Sequence, residues 1–161
     1  ATLFEAQTAG VILIASGGQK PIAGKAQASL NQSFDPSLSL ADRTEAVRYA
    51  FFANGNEIPD YWLRGWHAGT GRLQGHATRI TPPDAWTAGG SAPMLVIAGM
   101  QDTIAPPEDT VDLLEDTYPE RVTAIRLDGA GHALLPEKPN EIANAILAWL
   151  DSLATKKGIE T

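Results

Sequence analysis

Three short apolar runs, each closed by a glycine, constrain this chain more than any other feature. They are GVILIASGG (10–18), MLVIAG within APMLVIAGMQD (92–102), and VTAIRL within RVTAIRLDG (121–129). The first two are continuous rather than alternating, as expected of strands covered on both sheet faces. Between the second and third runs lies PPEDTVDLLEDTYP (106–119), a helix with proline near its start and acids in its first turn. After the third, PNEIANAILAWLDSL (139–153) places Ile142, Ile146, Trp149, Leu150 and Leu153 on one helical stripe. Strand, long excursion, strand, helix, strand, helix is the order of an α/β fold with a parallel sheet.

The excursion, residues 19–90, differs in character. It is rich in Gly, Pro, Ser and aromatic residues. SLADRTEAVRYAFFA (39–53) reads as a helix with Ser39 or Asp42 as N-cap, ended by NGNEIP. DYWLRGWHAG (60–69) reads as a second short helix and TPPDAW (81–86) as a loop and turn. So many aromatics argue for a helical insertion packed on the sheet rather than a linker. The expected division is a core of 1–18 and 91–155, a helical cap or lid of 19–90, and a frayed polar tail of 156–161. TLFEAQT (2–8) reads as the end of a helix with Gly10 as its C-cap.

Composition removes several classes of chemistry. With no cysteine there is no disulfide, thiolate nucleophile or cysteine-bound zinc. Three scattered histidines, none in an i, i+4 pair, argue against a built-in metal site. A net charge of −7 argues against nucleic acid and anionic membrane as partners. No apolar run approaches the roughly 20 residues that span a bilayer, and no leader pattern is visible. The expectation is a soluble, cytoplasmic protein.

In parallel sheets ligands bind beyond the carboxyl ends of the strands. Asp102 follows the second strand and His132 the third, so adjacent strands bring both to one edge. A carboxylate there can hold one imidazole nitrogen and leave the other free as a base. The small residues Gly129, Ala130 and Gly131 let the histidine loop pass close to its neighbours. Asp128 is a rival acid, too close in sequence to orient His132 easily.

PMLVIAGMQDTIAPPE followed by LDGAGHALLPEKPNEIANAILAWL resembles the C-terminal half of the α/β-hydrolase superfamily. The resemblance implies that Asp102 and His132 are the acid and base of a triad whose serine lies earlier in the chain. It implies that 19–90 is the lid, with Trp62, Trp66, Trp86 and Phe51 as candidate substrate contacts. The family's Gly-x-Ser-x-Gly elbow has no match here. IASGG (14–18) comes nearest but has Ile at the first glycine and falls in the strand after the expected elbow. Ser16 therefore reads as a strand-end residue, Glu137 as an anchor of the last helix through backbone or Arg contacts, and His67 and His76 as structural.

The implied function is the C-terminal portion of a serine hydrolase acting on a small carboxylic ester, without a cofactor. The serine and oxyanion hole are expected from a separate N-terminal half. Three strands are few for a parallel sheet, and the edge at Val11–Ala15 is left open and apolar. That edge is expected to pair with such a half or with a second copy. The alternative is a non-catalytic binding module that kept a truncated hydrolase scaffold.

Overall fold

The computed structural model describes residues 1–17, 20–64, 67–82 and 86–156. Strand β1 is Val11–Ile14, and helices α1 (Gly24–Ser33), α2 (Leu40–Phe51) and α3 (Ala68–Ile80) follow in the excursion. Strand β2 is Met94–Gly99, α4 Val111–Thr117, β3 Val122–Leu127, α5 Leu134–Glu137 and α6 Pro139–Lys156. The strands form a parallel sheet in the order β1-β2-β3. Val11 pairs with Met94, and Met94 with Val122, so all three start at one level.

Side-chain alternation along β2 divides the core into two layers. Met94, Val96 and Ala98 pack on Val111 and Leu114 of α4. Leu95 and Ile97 point the other way, onto Ile142 and Trp149 of α6. Every residue of β2 is buried, which explains its uninterrupted apolar run. Arg126 on β3 ties the α4 face at its rim, bonding Asp112 and Glu115.

The N-terminal segment departs from the sequence reading. Thr2–Gln7 is a pair of 3-10 turns kinked at Phe4, and Thr8, not Gly10, is the cap. Gly10 is glycine for want of space: a Cβ there would lie 2.6 Å from the Trp149 ring. At the other end of β1, Ala15 takes a φ of 47°, a left-handed conformation that costs a residue with a Cβ about 1–2 kcal/mol. The chain thus leaves the sheet at Ala15, and Ser16 lies past the strand.

In the excursion, Ser39 caps α2 as the sequence suggested, accepting from the Asp42 N–H at 3.1 Å. Asp60–Leu63 is a single 3-10 turn rather than the start of a longer helix. Helices α1 and α3 were not expected. One face of α2 points inward, with Val47, Ala50 and Phe51 joining Phe52, Ile104 and Ala133 in a third buried cluster. Among the described residues no helix is long and apolar enough to cross a membrane.

Candidate active site

Both site loops leave the sheet at one level, because Gly99 pairs with Leu127. Ladder-like bonding continues beyond the strands. The Met100 N–H donates to the Leu127 carbonyl at 3.0 Å and the Gln101 N–H to Ala130 at 2.9 Å. A tight turn then brings the Asp102 N–H back to the Gly99 carbonyl at 3.1 Å. A Cβ at Gly99 would fall on the Ala130 and Gly131 carbonyls, so only glycine lets the two loops approach this closely.

The turn places Asp102 against His132. Asp102 Oδ1 accepts from the N–H groups of Ile104 at 2.9 Å and Ala105 at 2.8 Å. Its Oδ2 lies 2.8 Å from His132 Nδ1. The aspartate side chain is 1% exposed and the histidine 22%. An ionised carboxylate only accepts, so Nδ1 carries the proton and Nε2 is left as an acceptor. The arrangement holds an imidazole by one nitrogen from a fixed, buried acid and leaves the ring partly open.

The far side of the histidine is closed by the end of α2. The last carbonyls of a helix lack partners within it. Here Tyr49 O accepts from the Thr103 hydroxyl at 3.0 Å, and Phe51 O from the Ala133 N–H at 2.6 Å. One partner belongs to the aspartate loop and the other to the histidine loop. The Phe51 ring centre lies 5.7 Å from that of His132, and Trp62 packs on Phe51 at 5.2 Å.

Of the candidate substrate contacts, Phe51 and Trp62 are thus brought to His132 or its neighbour. Trp66 lies outside the described residues. Trp86 enters a turn at the opposite, amino-terminal end of the strands, where Arg121 holds the Ala88 and Ala92 carbonyls and Gly89 approaches Val11. Asp128 is exposed, and His67 and His76 are exposed on and beside α3. Glu137 makes backbone contacts, as the sequence suggested, and their partners lie outside the last helix. Its carboxylate accepts from the Gly131 and Ala53 N–H groups and the Asn56 amide, each at 2.7 Å. It therefore braces the histidine loop against the end of α2. Among the described residues no group of three or more His, Asp or Glu could hold a metal ion.

Comparison with solved structures gives this arrangement a setting. A bacterial membrane phospholipase A matches 93% of the chain at a TM-score of 0.66 and 21% identity. A thermophilic esterase matches 90% at 0.62 and 17%. The chain has the α/β-hydrolase fold. A bromoperoxidase from Bacillus anthracis with this fold matches 88% at 0.53 and 16%. The chain covers 51%, 57% and 58% of those three proteins, so it spans about half the length of the α/β-hydrolase structures it matches. No family model and no curated protein matches the sequence.

Proposed function

We propose that this chain supplies the acid, the base and the lid of a serine-type α/β hydrolase acting on carboxylic esters. The observation that carries the reading is the bond between His132 Nδ1 and Asp102 Oδ2, with the second aspartate oxygen fixed by two backbone N–H groups. A serine hydroxyl near Nε2 would lose its proton to His132 as it attacks the ester carbonyl. Asp102 stabilises the imidazolium that forms, and His132 returns the proton to the departing alcohol. Water then repeats the sequence and frees the acid.

The serine and the oxyanion donors are assigned to polypeptide outside this sequence, which carries no Gly-x-Ser-x-Gly. Its docking place is the outer edge of β1, which has no strand beside it among the described residues and leaves Ile12 exposed. A pairing of two copies of this chain through that edge is the other arrangement compatible with the sheet. Phe51 and Trp62 form the apolar wall beside the base.

The missing elbow also favours a second reading, a binding module that retains the scaffold without turnover. A fluorophosphonate probe separates the two. Added to the chain together with the upstream half of its fold, it labels the serine of that half under the first reading. No labelling, with a stable complex formed, supports the second.

A further inference from the structure

Glu137 follows His132 in the chain yet bonds back to the loop it has just left. Oε2 accepts from the N–H of Gly131, the residue before His132, at 2.7 Å. Oε1 accepts from the Ala53 N–H and the Asn56 amide, both at 2.7 Å. The same Asn56 amide donates its second proton to the Gly129 carbonyl at 3.0 Å. On the other side of the histidine, the Ala133 N–H donates to Phe51 O at 2.6 Å. Of the two neighbours of His132, Ala133 is therefore bonded directly to residues 51–56 at the end of α2, and Gly131 is linked to the same stretch through the Glu137 carboxylate.

A residue that served only to start α6 would bond that helix. Glu137's three partners all lie outside it. Only a carboxylate meets this arrangement, since it presents acceptors in both directions at once. Glutamine would set an NH2 against one of the N–H donors, and aspartate is one methylene too short to reach both sides.

We propose that Glu137 is a positioning residue for His132. Its carboxylate sets the loop at the separation where the Nδ1–H···Oδ2 bond to Asp102 forms, and links that separation to the end of α2. Movement of the end of α2 then shifts the imidazole. The consequence for catalysis rests on the reading of His132 as a base, but the positioning itself is measurable without turnover.

The test uses the chain with 15N-labelled histidine, where His132→Gln identifies the His132 signal among three. The wild type gives an Nδ1–H resonance far downfield, as a carboxylate-bonded imidazole does. In Glu137→Gln and Glu137→Asp that proton exchanges with solvent at least about tenfold faster, because the loop opens locally. Gly10→Ala, which crowds Trp149 at the opposite end of the sheet, serves as a control for general destabilisation and stays within about twofold of wild type. Should Glu137→Gln not fold, Asn56→Ala replaces it, with exchange about threefold faster. Unchanged exchange in the Glu137 variants, or equal acceleration in Gly10→Ala, overturns the proposal. A wild type without the bonded resonance overturns both this proposal and the functional reading. Acceleration in the Glu137 variants, with hydrolysis by the assembled enzyme surviving His132→Ala, supports positioning and defeats only the functional reading.

Discussion

Replacing Gly131 by alanine tests whether the histidine loop is held by close packing. A Cβ at Gly131 would lie 2.7 Å from the Phe51 oxygen, 2.8 Å from the Ala53 nitrogen and 2.9 Å from the Phe52 carbonyl carbon. All three are backbone atoms, so no side chain can swing aside. The loop and the end of α2 must part by roughly half an ångström, an overpacking cost of about 1–3 kcal/mol. The parting also stretches the Ala133 N–H bond to Phe51 and the Glu137 bonds to Gly131 and Ala53. The neutral bond is worth about 1 kcal/mol net and each carboxylate bond about 1.5–3 kcal/mol when fully lost; the stretching forfeits only part of this. Because strain and bond loss partly replace one another, the expected destabilisation is about 2–4 kcal/mol, or roughly 5–15 °C in Tm for a domain of this size. Urea denaturation with an unchanged m-value measures it. Gly55→Ala is the internal comparison: its φ is +89° but nothing lies within 4 Å of the new Cβ. It costs about 1–2 kcal/mol of backbone strain and leaves the His132 ring signals in place. A Gly131→Ala loss below about 0.5 kcal/mol, the ordinary range of surface substitutions, with unmoved His132 signals, refutes the packing argument.

Other consequences follow from single contacts. Gly75 lies inside α3, and its new Cβ would meet only the mobile end of Arg79, at 3.5 Å. Gly75→Ala is therefore expected to stabilise by about 0.5–1 kcal/mol, seen as a higher urea midpoint; a lower one contradicts the open setting. Ser39→Ala removes the α2 cap and is expected to cost about 1 kcal/mol, measured the same way, with no loss contradicting it. Ser37 donates its hydroxyl and N–H to Asp35, holding that carboxyl below the usual range. A lowered pKa favours the fold above the unfolded-state value, and that contribution fades as pH falls through the folded-state value. In Ser37→Ala the Asp35 titration followed by NMR moves up towards the ordinary value; an unmoved curve contradicts the assignment.

The sheet was legible because its signals are local. Continuous apolar runs ending in glycine marked β1 and β2, and the stripe from Ile142 to Leu153 marked α6. The two unforeseen helices lack such signals for physical reasons. In α1 the buried residues are Ala26, Ser29 and Ser33, and Leu30 alone among large apolar side chains packs on the α2 cluster, so the helix shows no apolar stripe. In α3 none is buried, three glycines lower its helix propensity, and Leu73 and Ile80 are exposed. Asp102 and His132 could be placed at one edge because parallel strands fix where their loops emerge. Glu137 could not be placed, since two of its partners, Ala53 and Asn56, lie more than eighty residues away. Trp62 and Trp86 looked alike in sequence, but they lie towards opposite ends of the sheet. That separation depends on how the excursion returns to β2, which no local pattern records.

The central claim is that His132, oriented by Asp102, is the base of a serine hydrolase completed by polypeptide outside this sequence. Its most direct test is p-nitrophenyl ester hydrolysis by this chain assembled with the upstream half of its fold carrying Gly-x-Ser-x-Gly. The account predicts turnover in the assembly and in neither part alone, with kcat reduced at least about 10³-fold in His132→Ala and in Asp102→Asn. An assembly that forms but shows no turnover, or one whose turnover survives His132→Ala, contradicts it.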